Sequence, residues 1–248
     1  MYQERAALLI PRGKVWTRQS ESEAAARVLP DGCMDLIWHD GDLLVAGPDT
    51  AAVLVPGRPG ERYQGLRFAP GVGGAVLGVP AHELRDRRVP LAALWPQREV
   101  RVLAERVSLA ADRGAALERL IVARVDRADP PDPVRDAVVS GLRHGRRVPE
   151  LARLTYLSER QLRRRCLELF GYGPKTLDRV LRLQRALAPA RRGVPPADVA
   201  ARAGYADQAH LAREVRALAG IPLTELLACP PGSGAAPGSP PSTAAARC

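Results

Sequence analysis

Apolar positions along this chain change their period twice, and the changes divide it. Over residues 1 to about 95, short apolar runs such as Leu43-Leu44-Val45-Ala46 and Ala51-Ala52-Val53-Leu54-Val55 alternate with Pro30-Asp31-Gly32 and Pro56-Gly57. Runs of that length between turn formers predict strands. From about residue 98 to 127 the spacing becomes three and four: Val102, Leu103 and Val107, then Leu117, Leu120, Ile121 and Val125. That period predicts helix, with Gly114 as its break. Asp129-Pro130-Pro131-Asp132-Pro133 ends the helix and reads as a stiff linker. Helical periodicity resumes at Val134 and runs to about Leu227. The tail from Cys229, rich in Pro, Gly, Ser and Ala, is expected to be disordered. The expected class is α+β, in four segments. A β-rich domain spans 1–95 and a helical connector with its linker 96–133. An all-α domain spans 134–228, and the tail 229–248.

Within the helical domain one unit occurs twice, at 149–177 and 197–226, about 49 residues apart. Leu151-Ala152 and Val199-Ala200 occupy the same place in a short first helix. Turns follow at Thr155-Tyr156-Leu157 and Ala203-Gly204-Tyr205. Each copy then has a longer helix with an apolar stripe at i, i+4, i+7 and i+8. The stripes are Leu162, Cys166, Leu169, Phe170 and Leu211, Val215, Leu218, Ala219. Ser158 and Asp207 suit the N-caps of these helices, and Gly171 and Gly220 their left-handed C-caps. A short helix, a tight turn and a longer helix is the helix-turn-helix plan.

Charge sharpens the division. Residues 1–134 hold 18 Lys/Arg and 18 Asp/Glu, whereas residues 135–229 hold 18 and 9. The excess of the whole chain, +10, therefore sits almost entirely in the helical domain. Neutralising phosphates with such a surface releases condensed counterions, so a confined basic excess fits a polyanion partner. An Arg-rich genome would load both halves alike. Yet the first segment, with as many Arg as the second, is balanced by its acids.

The faces opposite the stripes carry the candidate chemistry. Arg160, Arg163 and Arg164 project from the first long helix. From the second project Gln208, Ala209, Ala212, Arg213 and Arg216. Arg offers paired donors to guanine O6 and N7, and Gln can pair with adenine N6 and N7. A solvated charged face explains either helix alone, but two basic faces at equivalent places favour recognition.

Residues 134–228 resemble the AraC/XylS-type DNA-binding domain. The likeness lies in Leu157-Ser-Glu-Arg-Gln-Leu-Arg-Arg-Arg-Cys, in Gly171-Tyr-Gly-Pro174, and in Val199-Ala-Ala-Arg-Ala-Gly-Tyr-Ala-Asp-Gln-Ala-His-Leu211. It implies two helix-turn-helix units joined by a linker helix over 175–188, whose apolar side is Leu177, Val180, Leu181 and Leu183. It places Arg160, Arg163 and Arg164 against one groove, and Gln208, Ala209, His210 and Arg213 on the second reading helix, where the outward face adds Arg216 as a candidate DNA contact. Arg182, on the linker helix, is expected to meet solvent or phosphate. The chain departs from the family pattern at Cys166, Ala209, Leu211 and Pro222. Ala209 cannot hydrogen-bond, so the second helix is expected to read fewer bases.

Upstream, three stretches resemble a sensor-type domain of uncharacterised role, read as a degenerate cupin-like barrel. They are Leu29-Pro-Asp-Gly-Cys-Met-Asp-Leu-Ile-Trp38, Ala46-Gly-Pro-Asp49, and Leu77-Gly-Val-Pro-Ala81 with Glu83-Leu-Arg-Asp86. Asp31, Cys33, Asp35 and Trp38 are its candidate effector contacts. Cys33, His39 and His82 form no HxH pair with a nearby Glu, so no metal and no cofactor is expected, and His39 reads as an exposed turn residue. Nothing in the sequence marks Cys33 as a thiolate.

The four cysteines, Cys33, Cys166, Cys229 and Cys248, include no CxxC pair and imply neither a disulfide framework nor structural zinc. No run approaches the roughly 18 apolar residues of a membrane span. The chain is expected in the cytoplasm, as a sequence-specific transcriptional regulator and not an enzyme. Its partners would be double-stranded DNA, a small-molecule effector and RNA polymerase, with the protein a monomer or homodimer. A DNA-repair enzyme would need a four-cysteine zinc site or Pro-Cys-His, which do not occur. A non-specific binder would not need two phased reading helices.

Overall fold

The computed structural model describes residues 1–125 and 132–228. Eight strands come first: β1 Tyr2–Ala6, β2 Lys14–Gln19, β3 Ala26–Val28, β4 Met34–His39, β5 Asp42–Ala46, β6 Val53–Val55, β7 Arg62–Phe68 and β8 Arg88–Pro90. Helix α1, Gly73–Leu77, and two 3-10 turns at Ala81–Glu83 and Leu91–Ala93 lie among them. The remaining helices are α2 Gln97–Leu109, α3 Arg113–Val125, α4 Pro133–Arg143, α5 Val148–Leu154, α6 Glu159–Phe170, α7 Pro174–Arg191, α8 Pro196–Ala203, α9 Gln208–Ala219 and α10 Leu223–Ala228.

Six strands form one antiparallel sheet in the order β1-β2-β7-β4-β5-β8, while β3 and β6 make a two-stranded ribbon. The strand-rich unit is therefore an open sheet: its edges, β1 and β8, do not pair with each other to close a barrel. β8 is three residues long and ends in Pro90, which has no N–H to extend a ladder.

One face of the sheet buries Val15, Leu36, Val45, Leu66 and Phe68 against Val100, Ala104 and Val107 of α2 and Leu117 and Ile121 of α3. The segment read as a connector thus completes the core of the strand-rich unit. Its break falls at 110–112, ahead of Gly114, because Asp112 caps α3 by accepting from Ala115 N at 2.9 Å. Gly114 serves close approach instead. A Cβ there would lie 2.3 Å from Val15 Cγ1, so only glycine lets α3 press onto β2.

The expected linker at 129–131 and the tail from 229 fall outside the described residues. Asp132 and Pro133 belong to α4: the Asp132 side chain accepts from Val134 N at 2.7 Å, and Pro133 opens the helix.

Two clusters make the helical core, and α7 runs through both. Val138, Leu142, Leu151, Leu162, Cys166 and Phe170 pack on Leu177, Val180 and Leu181. Leu183, Ala186, Leu187 and Ala190, further along α7, pack on Val199, Ala200, Leu211, Val215 and Leu218. Each cluster is one copy of the repeat, so α7 is the expected linker helix, starting one residue earlier and ending three later. The strand-rich unit docks here: Leu29 joins the second cluster, and Gln184 Nε2 donates to Pro30 O at 2.7 Å.

Candidate nucleic-acid interface and the cleft beside it

Both long helices end as the sequence requires. Ser158 Oγ accepts from Gln161 N while Gln161 Oε1 accepts from Ser158 N, a reciprocal capping box. Asp207 Oδ1 accepts from His210 N at 2.6 Å. Gly171 and Gly220 take φ of 82° and 76° at the C-caps. Inward, Leu162, Cys166 and Phe170 on α6, and Leu211, Val215 and Leu218 on α9, are at most 1% exposed. The stripes fix which side chains face out.

On α6 those are Arg160, Arg163 and Arg164, all exposed. On α9 they are Gln208, Ala209, Ala212, Arg213 and Arg216, also exposed. Neighbouring arginines are committed. Arg165 pairs with Asp132 and Glu168, Arg179 with Glu214, and Arg182 with Asp178. The two outward faces therefore keep guanidinium and amide donors available, which is what base edges and phosphates require.

Two residues behave otherwise than expected. His210 is half-buried: its Nδ1 accepts from Ala206 N at 3.3 Å and its ring meets Tyr205 edge-on at 5.3 Å. It shapes the turn ahead of α9. Arg182 keeps some solvent exposure but is not a free cation, because Asp178 holds it one turn back and its guanidinium lies 5.4 Å over the Tyr205 ring. The Asp-to-Arg spacing of four residues was the available sign of that pairing.

The candidate effector residues separate. A cleft of about 1900 Å³ opens between the strand-rich unit and helices α4, α6 and α7. Asp31, Cys33 and Arg67 line it on one side, and Val139, Leu169, Leu181, Gln184 and Arg185 on the other. Asp35 lies buried behind Asp31 and Cys33. Its Oδ1 accepts from Trp16 Nε1 at 2.6 Å and from Arg67 Nε at 3.1 Å. Burial pushes the Asp35 carboxyl up to about 6, against the opposing pull of Arg67. Burial, with Asp31 nearby, also pushes the Cys33 thiol well up, the reverse of what a thiolate sensor needs.

Trp38 is elsewhere. It stands an odd number of residues from Asp35 on β4 and so on the opposite face. There its Nε1 donates to Ser108 Oγ at 3.0 Å and Arg113 stacks 4.3 Å above the ring. This is a separate hollow of about 450 Å³ that also takes His39, Arg58 and Arg62. His39 is not an exposed turn residue: it pairs with Glu61 at 2.9 Å and stacks on Tyr63 at 4.1 Å. Arg67 and Trp16, which organise the cleft floor, were invisible in sequence because they reach Asp35 only through strand pairing. Among the described residues no three His, Cys, Asp or Glu side chains are placed to hold a metal.

Residues 151–228 match the family model of a helix-turn-helix domain, and residues 13–90 that of a domain of unknown function (DUF6597). No curated protein matches the chain at a significant level. Among solved structures the chain is similar to an apo variant of ToxT from Vibrio cholerae, at 12% identity over 87% of this chain and 96% of that one, TM-score 0.47. It is also similar to ToxT in another crystal form, at 11% identity over 91% and 97%, TM-score 0.46. A third is ToxT with an unsaturated fatty acid bound, at 11% identity over 91% and 94%, TM-score 0.44. Each family model covers about a third of the chain, and the repeat centred on α7 lies almost entirely within the helix-turn-helix match. The chain is a DNA-binding regulator whose helix-turn-helix domain, over residues 151–228, follows a domain of unknown function over residues 13–90.

Proposed function

We propose that α6 and α9 enter successive major grooves on one face of a single duplex, and that the strand-rich unit adjusts this engagement to a small molecule held in the cleft. The observation that carries the reading is the pair of outward faces, Arg160, Arg163 and Arg164 on α6 with Gln208, Arg213 and Arg216 on α9. They stay exposed while Arg165, Arg179 and Arg182 beside them are paired.

Arg163, Arg164 and Arg213, one turn or so into their helices, read bases. Arg160 and Arg216, nearer the ends, anchor to phosphate. One protomer covers two different short elements about 10–10.5 bp apart, so an asymmetric site suffices for a monomer. Asp31 and Cys33 on the cleft wall are the effector contacts this reading retains, with Asp35 behind them. The protein acts in the cytoplasm without catalysis of its own, and RNA polymerase is the partner through which it affects transcription. No described helix is long and apolar enough to cross a membrane.

Selection of bound sequences from a random duplex library tests the reading. Two conserved elements at one fixed separation support it, and inserting about five base pairs between them should abolish simultaneous engagement by placing them on opposite faces. A single element, or affinity indifferent to the insertion, overturns it.

A further inference from the structure

The loop at residues 47–52, between β5 and β6, touches the C-terminal ends of both reading helices. At one end Pro48 packs on Gly171, the C-cap of α6, so closely that a Cβ there would lie 2.5 Å from Pro48 Cγ. Arg85 Nη1 donates to Gly171 O at 3.4 Å beside it. At the other end Ala52 N donates to Leu218 O at 2.7 Å, in the last turn of α9. Arg27, from β3, donates through Nη1 to Ala219 O at 2.7 Å.

Between these two contacts the loop has little freedom. Asp49 is buried and takes both terminal nitrogens of Arg88. Thr50 N and Oγ1 donate to Asp86 Oδ1 at 2.7 and 2.9 Å. Asp86 N donates to Pro48 O at 3.1 Å, and Gly47 N to Arg87 O at 2.9 Å. The Gly47-Pro48-Asp49 and Glu83–Asp86 stretches, conspicuous in the sequence but without a role there, are the parts of this brace.

We propose that the 47–52 loop is a strut that sets the separation and tilt of α6 and α9, with Arg27 and Arg85 as positioning residues for DNA recognition. The last carbonyls of a helix lack intrahelical partners and carry partial negative charge, so a guanidinium there holds the end of the helix in place. Through α7 alone the two units share one helix but separate cores. The strut adds a second tie between them, and α6 and α9 are fixed at both. The preferred distance between the two DNA elements is then set in part by the strand-rich unit. This rests on the reading that both helices engage one duplex at once.

The test uses the full chain and a duplex series carrying the two selected elements at the preferred spacing and at one and two base pairs more and fewer, with a single-element duplex alongside. Wild-type protein should prefer one spacing. In the Arg27→Ala, Arg85→Ala double variant that preference should fall by about two- to fivefold per contact, the range for a charge at a helix terminus. Affinity for the single-element duplex should be unchanged, and Arg27→Lys with Arg85→Lys should restore most of the preference, since lysine keeps the charge and a donor. A double variant that melts like wild type and keeps its spacing preference overturns the proposal. So does an equal loss on single- and two-element duplexes, which would mark the arginines as merely structural. Wild-type protein indifferent to spacing overturns the reading beneath it instead.

Discussion

Arg179 on the linker helix grips Glu214 on the second reading helix through two hydrogen bonds, Nε to Oε2 at 2.8 Å and Nη2 to Oε1 at 3.1 Å. The fork fits the carboxylate as only arginine can. Arg179 is well exposed, so solvent screens the pair, and Glu214→Ala should lower stability by no more than about 1 kcal/mol. The loss should shrink in high salt. Thermal melts of both proteins at low and high ionic strength check this. A loss that does not change with salt would mean that Glu214 contributes packing rather than charge.

Base reading and phosphate anchoring separate by salt and sequence. Arg163→Ala, Arg164→Ala and Arg213→Ala should each cost on the order of 1–3 kcal/mol on the preferred site and relax preference at one position. Arg216→Ala should weaken matched and mismatched duplexes alike and flatten the salt slope by about one unit. Binding to a matched and a single-mismatch duplex over several salt concentrations checks both. If the first three variants lose equally on both duplexes, their face is only an electrostatic anchor.

Much of the helical half was legible because its signals are local. The stripe from Leu162 to Phe170, the caps at Ser158 and Asp207 and the glycines at 171 and 220 lie within a few residues of what they fix. The outward arginines follow once the inward face is known. What was not legible depends on distant partners. Arg182 reads as a free cation until Asp178 and the Tyr205 ring are placed around it. Trp38 reads as a neighbour of Asp35 until the strand turns the two to opposite faces. The cleft floor needs β2, β4 and β7 paired side by side before Trp16, Asp35 and Arg67 meet.

Asp35 gives the cleft floor a pH dependence with a definite sign. Its carboxyl is raised to about 6 by burial, above its ordinary value of 3.8. Between those values the folded chain holds a proton that the unfolded chain has released, so this group's contribution to stability falls as pH rises from about 4 to about 6. Below that window the contribution is fully present, and above it the cost of the buried charge is constant. Asp35→Asn cannot titrate, so it should lack this slope, even though the loss of a charged partner of Arg67 lowers its stability throughout. Chemical denaturation across pH 4–7 on both proteins checks it. Parallel curves would mean that Asp35 stays ionised throughout.

Tyr156 holds a left-handed backbone, φ 55°, at the place in the first turn where the second has Gly204, φ 81°. A side chain in that region costs about 1 kcal/mol or more, and the ring is exposed and gains no packing in return. Tyr156→Gly should therefore stabilise the protein, by up to about 1 kcal/mol after the added freedom of the unfolded chain is counted. Denaturant melts measure this, and a destabilised variant would show that the ring makes contacts worth more than the strain. DNA affinity measured beside it is informative too: a loss of binding with a gain of stability would assign the aromatic ring to the DNA.

Gly171 and Gly204 make a matched pair for weighing the docking of the two halves. Both end a helix in the left-handed region, at φ of 82° and 81°. Alanine should cost each about 1 kcal/mol in backbone strain. Around Gly204 nothing lies within 4 Å of a new Cβ, so Gly204→Ala reports the strain alone. At Gly171 the same methyl group would sit 2.5 Å from Pro48 Cγ and 3.1 Å from Ala81 O, and it must push the strand-rich unit away or shift the end of α6. Neither partner is the free end of a flexible side chain, so the accommodation should be costly. Overpacking of this kind adds about 1–3 kcal/mol. Gly171→Ala should thus be the more damaging substitution by that margin in denaturant melts. The displacement should also reach the far end of the strut, where the Ala52 amide bonded to Leu218 O should exchange its hydrogen faster in Gly171→Ala than in Gly204→Ala. Equal losses of stability with equal exchange at Ala52 would mean that the loop yields locally, and that the two helix ends are not coupled through it.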